Sequence, residues 1–487
     1  RPSPAVVRAF LLPLGALLAS TSLAQVDFTL RPERGQLLPR HPSSGGAHAA
    51  VAGTVTLDGA AAVRLVVRRA GFVEPYFEGR RALAPEGEDE EGSFEETTFA
   101  FAPLLEAGLW NYSLELELLG DQDALLESCT VATDVLVGDV YIFAGQSNAR
   151  ADTGISLGIG MSQWVRSYGS AHPSAFALRA PGWYPAQPVA FEGRGQVGAL
   201  AFHFAERIVE IAEVPVAVIN GAVNGTRIES HAPAAAVDDP YSIYGRTLQR
   251  IQGAGFQDSV RAVVWYQGET EAEGTTDYAY EDAFRALRGS WLQEYPTIER
   301  TFVLQIRSGC TVYDNDLVAE AQRNFARSVP DVTVVPPTGI DRSDVCHYSY
   351  DEYGELGDVL AGEVLASLYG IGTPIDPPDA LDAEWDPLRG TVTVRFRNPG
   401  AGLELDDGSF RRFAFDAPVP LQATDAWSSE DTLVLQLPLG VRPRRVSYVG
   451  NVLNGPWMRA SDGAPAFTFA LDVRSRYLRS KNLISRR

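Results

Sequence analysis

Four short blocks carry side chains suited to acyl-transfer chemistry, and each follows a run that reads as a buried strand. Gly145-Gln146-Ser147-Asn148 offers a hydroxyl, and the segment from Gly221 to Glu229 a turn containing Asn224 and Gly225. Trp265-Tyr266-Gln267-Gly268-Glu269 offers a side-chain amide, and Asp344-Val345-Cys346-His347 an acid and an imidazole three residues apart. A serine hydroxyl is a poor nucleophile at neutral pH. It needs an adjacent base, and the base needs a group that holds its tautomer. His347 can be that base and Asp344 can reach its Nδ1 around a tight turn, with Asp341 a rival of poorer reach. The tetrahedral oxyanion needs donors aimed at it; the N–H groups of Ser147 and Gly225 and the amide of Gln267 are the candidates. Glu269 reads as a turn or helix-start residue. Arg227 and Arg307 are candidates for holding a substrate carboxylate.

These blocks need a sheet to align them. The strands are expected at Val135–Ala144, Val214–Asn220, Val260–Tyr266, Phe302–Ile306 and Val332–Val335. Helices are expected at Ala199–Ala212, Tyr244–Gln252, Tyr278–Glu294, Leu317–Arg327 and Tyr353–Leu368. In the first helix Ala201, Phe204, Ala205 and Ile208 share a face at helical spacing. Strand–helix alternation implies an α/β domain over 135–372, a flavodoxin-like five-stranded parallel sheet with right-handed crossovers. Open sheets of this kind place active sites along their carboxyl edge, where all four blocks fall.

Before it, 25–134 shows short alternating runs without helices, the pattern of a small antiparallel sandwich. After the stiff Pro374-Ile375-Asp376-Pro377-Pro378 linker, 373–473 is again β-rich, and 474–487 is a basic tail without periodicity. The loops from Thr153 to Gly195 hold Trp164, Tyr168, Trp183 and Tyr184, which suit either stacking on sugar faces or a loop core.

The chain has 487 residues and a formal charge of −21, which disfavours nucleic acid or an anionic membrane as partner. Its one lysine is Lys481; salt adaptation and a GC-rich genome both account for that. Arg1 and Arg8, an apolar run from Ala9 to Ala19, and small residues at Ser22 and Ala24 read as a signal peptide over 1–24, hence a secreted or periplasmic protein. No run is long enough to span a bilayer. No metal-ligand spacing is visible, and no cofactor is expected.

The four ordered blocks, with Ala319-Glu320-Ala321-Gln322-Arg323, resemble the SGNH hydrolase superfamily, in its sialate O-acetylesterase and acetylxylan esterase branch. The resemblance covers the middle half of the chain. It implies a three-layer α/β/α domain that removes acetyl groups from sugar hydroxyls, with Ser147 as nucleophile, His347 as base, Asp344 orienting it, and Gly225 and Gln267 as oxyanion donors. Asn224-Gly225 stands where the branch has a glycine pair, and Arg227 where it has proline. A general short-chain esterase or lipase, or a carbohydrate-binding protein on the same fold, are the competing readings. Finally, Cys310 follows the fourth strand and Cys346 the fifth. Loops leaving one edge of adjacent strands can come within disulfide range, so the pair is either a bridge or two buried thiols, with Cys129 left over.

Overall fold

The computed structural model describes residues 25–56, 59–83, 97–153, 161–189, 193–271, 277–307, 310, 316–397, 402–419, 421–448 and 454–475. The expected signal peptide and nearly all of the basic tail lie outside them.

The central sheet is built from short, largely apolar runs. Val216–Asn220, Val260–Tyr266 and Arg300–Leu304 are buried along almost their whole length, as strands covered on both faces must be. They lie parallel in the order Val216–Asn220, Leu125–Gly145, Val260–Tyr266, Arg300–Leu304, Val332–Val335. The sheet is wider than the expected five strands. Val165–Tyr168 adds a sixth parallel strand beside Val216–Asn220, and Trp183–Pro185 pairs antiparallel with it outside. Their sequences gave no apolar signal. Buried Arg166 sits mid-strand, donating to the carbonyls of Gly35 and Gln163 and to the Asp134 carboxylate. Trp183 packs edge-on against Tyr168 and Phe256, so these aromatics form loop core rather than an open stacking platform.

Helices α1 (Ser147–Arg150), α2 (Ala199–Ala212), α3 (Ile243–Gly253), α4 (Asp277–Glu294), α5 (Asp316–Ser328) and α6 (Tyr350–Val364) alternate with the strands. α2 packs against α6 and α4 against α5. A Ser349–Glu352 capping box starts α6 directly after the Asp344–His347 block.

Leu125–Gly145 is one strand with two lives. Its first half pairs antiparallel with Tyr112–Leu119; its second half is the centre of the parallel sheet. The change occurs at Asp134, whose φ of 59° marks a bulge tied to Asn111 and Arg166. The N-terminal region buries its own core of Val51, Leu65, Phe99, Leu116 and neighbours. The C-terminal region is a seven-stranded sheet with a separate core around Trp385, Val394, Leu435 and Tyr448.

Candidate active site

The nucleophile turn depends on a glycine. Gly145 has φ 131°, and a Cβ there would lie 2.0 Å from the Tyr266 carbonyl, so only glycine lets the two strand ends run this close. Gln146 N–H donates to that carbonyl, and its side chain bridges to Gly268 and Thr270 of the next loop. Ser147 then opens the single turn of α1, closed by left-handed Ala151. Asn148, buried beneath, donates Nδ2 to Glu269 Oε1 at 2.6 Å and to the Cys346 carbonyl at 3.2 Å, and accepts from Tyr353.

Ser147 and His347, 200 residues apart in sequence, meet here: Nε2 lies 3.1 Å from Oγ. Asp344 Oδ2 lies 3.2 Å from His347 Nδ1, while its Oδ1 accepts the N–H groups of Cys346 and His347, both at 2.6 Å. Partial burial would raise the Asp344 pKa, but these hydrogen bonds outweigh it and hold the carboxyl below its usual range. With Nδ1–H donated to Asp344, Nε2 faces the hydroxyl as an acceptor, the state a general base requires. Asp341 goes elsewhere and accepts from Gly455 N–H. Glu269 lies in a turn, as expected from sequence, but its side chain is buried under the base loop. Burial raises its pKa, opposed by the Asn148 hydrogen bond and the charges of His347 and Arg342.

The second block lies against the first, with Val223 N–H donating to Gly145 O at 3.0 Å. Gly225 takes φ 64° and opens to space on its Cβ side. Gln267 departs from its expected role. It is fully buried, and its two amide hydrogens are committed to Thr226 O and to Glu271 Oε1, leaving none for an oxyanion in this arrangement. It instead fastens the Gly225 loop to the third strand end. Two residues missed in the sequence assist. Glu271 also accepts Ile228 N–H. His231 Nε2 lies 2.8 Å from Thr226 Oγ1, whose proton goes to Val223 O. Burial, then the Arg246 charge, push the His231 pKa down to about 3, so it stays neutral and donates. The signal was faint: an acid two residues after Glu269, and a histidine six after Gly225.

Of the arginines, Arg227 is about half exposed and lies 3.8 Å from Glu271. Arg307 is only 2% exposed, walled in by Tyr348 and Trp457, so it does not face a ligand directly. Cys310 and Cys346 form a disulfide with Cα atoms 4.4 Å apart, and Cys129 is free. Among the described residues no three His, Cys, Asp or Glu side chains are grouped to hold a metal ion, and no helix is long and apolar enough to cross a membrane.

Residues 137–366 match the family model for carbohydrate esterases of the sialic acid-specific acetylesterase type. No curated protein matches the chain. Among solved structures, a carbohydrate acetylesterase from Xanthomonas citri superposes with TM-score 0.59 at 21% identity, covering 92% of this chain and all of its own. A protein from Arabidopsis thaliana (TM-score 0.38, 19% identity) covers 47% of this chain and 98% of its own. The protein NanS (TM-score 0.36, 14% identity) covers 48% and 98%. The first likeness extends through both flanking β regions, so they are part of a shared fold. The match to the sialic acid-specific acetylesterase family of carbohydrate esterases thus lies in the central domain, residues 137–366, and the chain is a carboxylic ester hydrolase.

Proposed function

We propose that this protein is an exported carbohydrate O-acetylesterase working through an acyl-enzyme on Ser147. The observation that carries the mechanism is the unbroken hydrogen-bonded line from Ser147 Oγ through His347 to Asp344, at 3.1 and 3.2 Å. His347 takes the Ser147 proton as Oγ attacks the acetyl carbonyl. It then returns that proton to the departing sugar oxygen, and activates the water that releases acetate. Asp344 stays ionised and holds the imidazole in the tautomer that keeps Nε2 free. The N–H groups of Ser147 and Gly225 are the oxyanion donors. Gln267 serves them at one remove, by holding Thr226. Half-exposed Arg227 is the candidate to meet an acidic substituent of the sugar, supported by its exposure.

The three hydrophobic cores support a division into regions 25–134, 135–372 and 373–473, although Leu37 and Phe467 join the central core and Val135 and Val137 the N-terminal one. Export is supported by the Cys310–Cys346 bridge, since disulfides persist in oxidising compartments. The deciding experiment compares release of acetate from O-acetylated sialic acid, acetylated xylan and p-nitrophenyl acetate by the native chain and Ser147→Ala. Turnover of an acetylated sugar that vanishes in the variant supports the reading. Sugar turnover that survives the substitution, or activity confined to the aryl ester, refutes it.

A further inference from the structure

The loop between Val332–Val335 and α6 carries both Asp344 and His347, and its own chain braces only its tip, where Ser343 and Asp344 N–H donate to His347 O and Asp344 Oδ1 accepts from Cys346 and His347. Ser343, Asp344 and Val345 are exposed, Val345 by half. A base that must meet Ser147 within tenths of an ångström cannot rest on a free loop. Part of the support is local: the disulfide at Cys346 and the Asn148 bond to its carbonyl. Further support comes from a separate part of the molecule. At the start of the loop, Thr338 donates its hydroxyl to the Ala466 carbonyl. Ile340 O accepts from Arg307 Nη1 at 3.0 Å, and Asp341 Oδ1 accepts from Gly455 N–H at 3.3 Å.

Arg307 links the two sides. Its guanidinium carbon lies 5.2 Å from the Trp457 ring centroid and 5.6 Å from that of Tyr348, the residue following His347. Among the described residues Nε and Nη2 find no hydrogen-bond partner; the two rings and the Ile340 carbonyl hold the group. Trp457 is itself rigid. Its N–H donates to the Asp406 carboxylate, its carbonyl accepts from Asp406 N–H, and it joins the C-terminal core. The whole region is seated by buried polar pairs, Gln305 exchanging two 3.0 Å bonds with Thr468, and Arg323 pairing with Asp379.

We propose that the C-terminal β region is part of the catalytic apparatus, its Gly455–Trp457 segment clamping the loop that holds His347 through Arg307 and Asp341. The proposal rests on the Ser147–His347–Asp344 reading. Trp457 and Arg307 are positioning residues. They touch no reacting atom, so their loss should change the rate of proton transfer and leave substrate binding alone.

The test uses the full chain with p-nitrophenyl acetate, and separately the rate at which a fluorophosphonate labels Ser147, which needs the base but no sugar site. Trp457→Ala is expected to slow kcat and labelling together by roughly 10- to 100-fold with KM nearly unchanged, since an ångström of misplacement costs that much. Trp457→Phe, which keeps a ring over Arg307, should recover most of the loss. Asp341→Ala alters an exposed loop residue and leaves the core intact; a loss of about 2- to 5-fold in both rates is expected for one severed bond. The clamp is overturned if a folded Trp457→Ala keeps both rates within about twofold of native, or if Asp341→Ala changes neither. It is also overturned if KM rises while labelling does not slow. Ser147→Ala that retained hydrolysis would overturn the catalytic reading instead, independently of the clamp.

Discussion

Two loops adjoin the Ser147 turn, one through Val223 on Gly145 and one through His347 on Ser147, and they are held in different ways. The Gly221–His231 segment is fastened from beneath by buried polar groups. Gln267 and Glu271 are each at most 1% exposed and His231 3%, and between them they bond Thr226 and Ile228. The Asp344–His347 loop is largely exposed and held by its own turn hydrogen bonds, by a covalent bridge and by contacts from distant chain. Under the proposed mechanism the contrast follows from what each must do. Oxyanion donors have to stay fixed, and a low-dielectric network strengthens every bond that fixes them. The base has to gain and lose a charge in every turnover, which burial would penalise. A solvated loop spares it that penalty, so its rigidity must come from something that does not desolvate it.

The comparison can be broken in several places. The largest effect is at the groups the loops align. Ser147→Ala or His347→Ala should each lower kcat about 10⁴- to 10⁶-fold, with unchanged circular dichroism. Together they should cost little more than either alone, because they act as one unit. Next comes the bridge. Closing a loop of 36 residues contributes up to about 4 kcal/mol in the chain-entropy model. Replacing Cys310 and Cys346 by serine should lower the urea midpoint by a corresponding amount, and mild reduction should slow hydrolysis before the sheet unfolds. Equal losses of activity and sheet signal would show that the bridge supports the domain rather than the loop.

A smaller effect is expected on the buried side. Gln267→Ala frees Thr226 O and should reduce kcat about 10- to 100-fold, below the loss for removing an oxyanion donor outright. Glu271→Gln tests the assignment, since it keeps an acceptor for Gln267 and should retain most activity. A deeper loss in Gln267→Ala with an intact Gly225 loop in a crystal would restore Gln267 as a direct donor. The smallest effect at neutral pH is His231→Gln. The folded-state pKa of His231 lies near 3 against an ordinary 6.5, so the unfolded chain takes up a proton that the folded one refuses. Stability attached to this residue is therefore present above about pH 6.5 and drains away as pH falls towards 3. The glutamine variant should show a shallower acid loss in urea midpoints measured across that range. An identical slope would mean His231 protonates in place.

The strands and helices of the central domain were legible because apolar runs and helical periodicity are local signals. Val260–Tyr266 and Ala199–Ala212 lie where their own residues put them. The candidate residues were legible for a related reason: Ser147 and the Gly225 turn come shortly after such runs, and Asp344 and His347 lie in the loop after the last one. Val165–Tyr168 was not legible, because a buried arginine carries its pairing and Asp134, more than thirty residues away, satisfies that arginine.

The amino-acid sequence by itself determined which side chains stand at the sheet edge and which chemistry they can perform, since residue type and strand position are properties of short segments. Tertiary structure alone decided how their hydrogen bonds are allotted. An amide has two hydrogens and a guanidinium five, and which acceptors they meet depends on chain that arrives from elsewhere. Thr226 took the Gln267 donor that the sequence had assigned to an oxyanion. Trp457, 150 residues after Arg307, turned a candidate ligand group into a wall of the base loop. No local pattern encodes either outcome, because both are set by the packing of segments that meet only once the domain has closed.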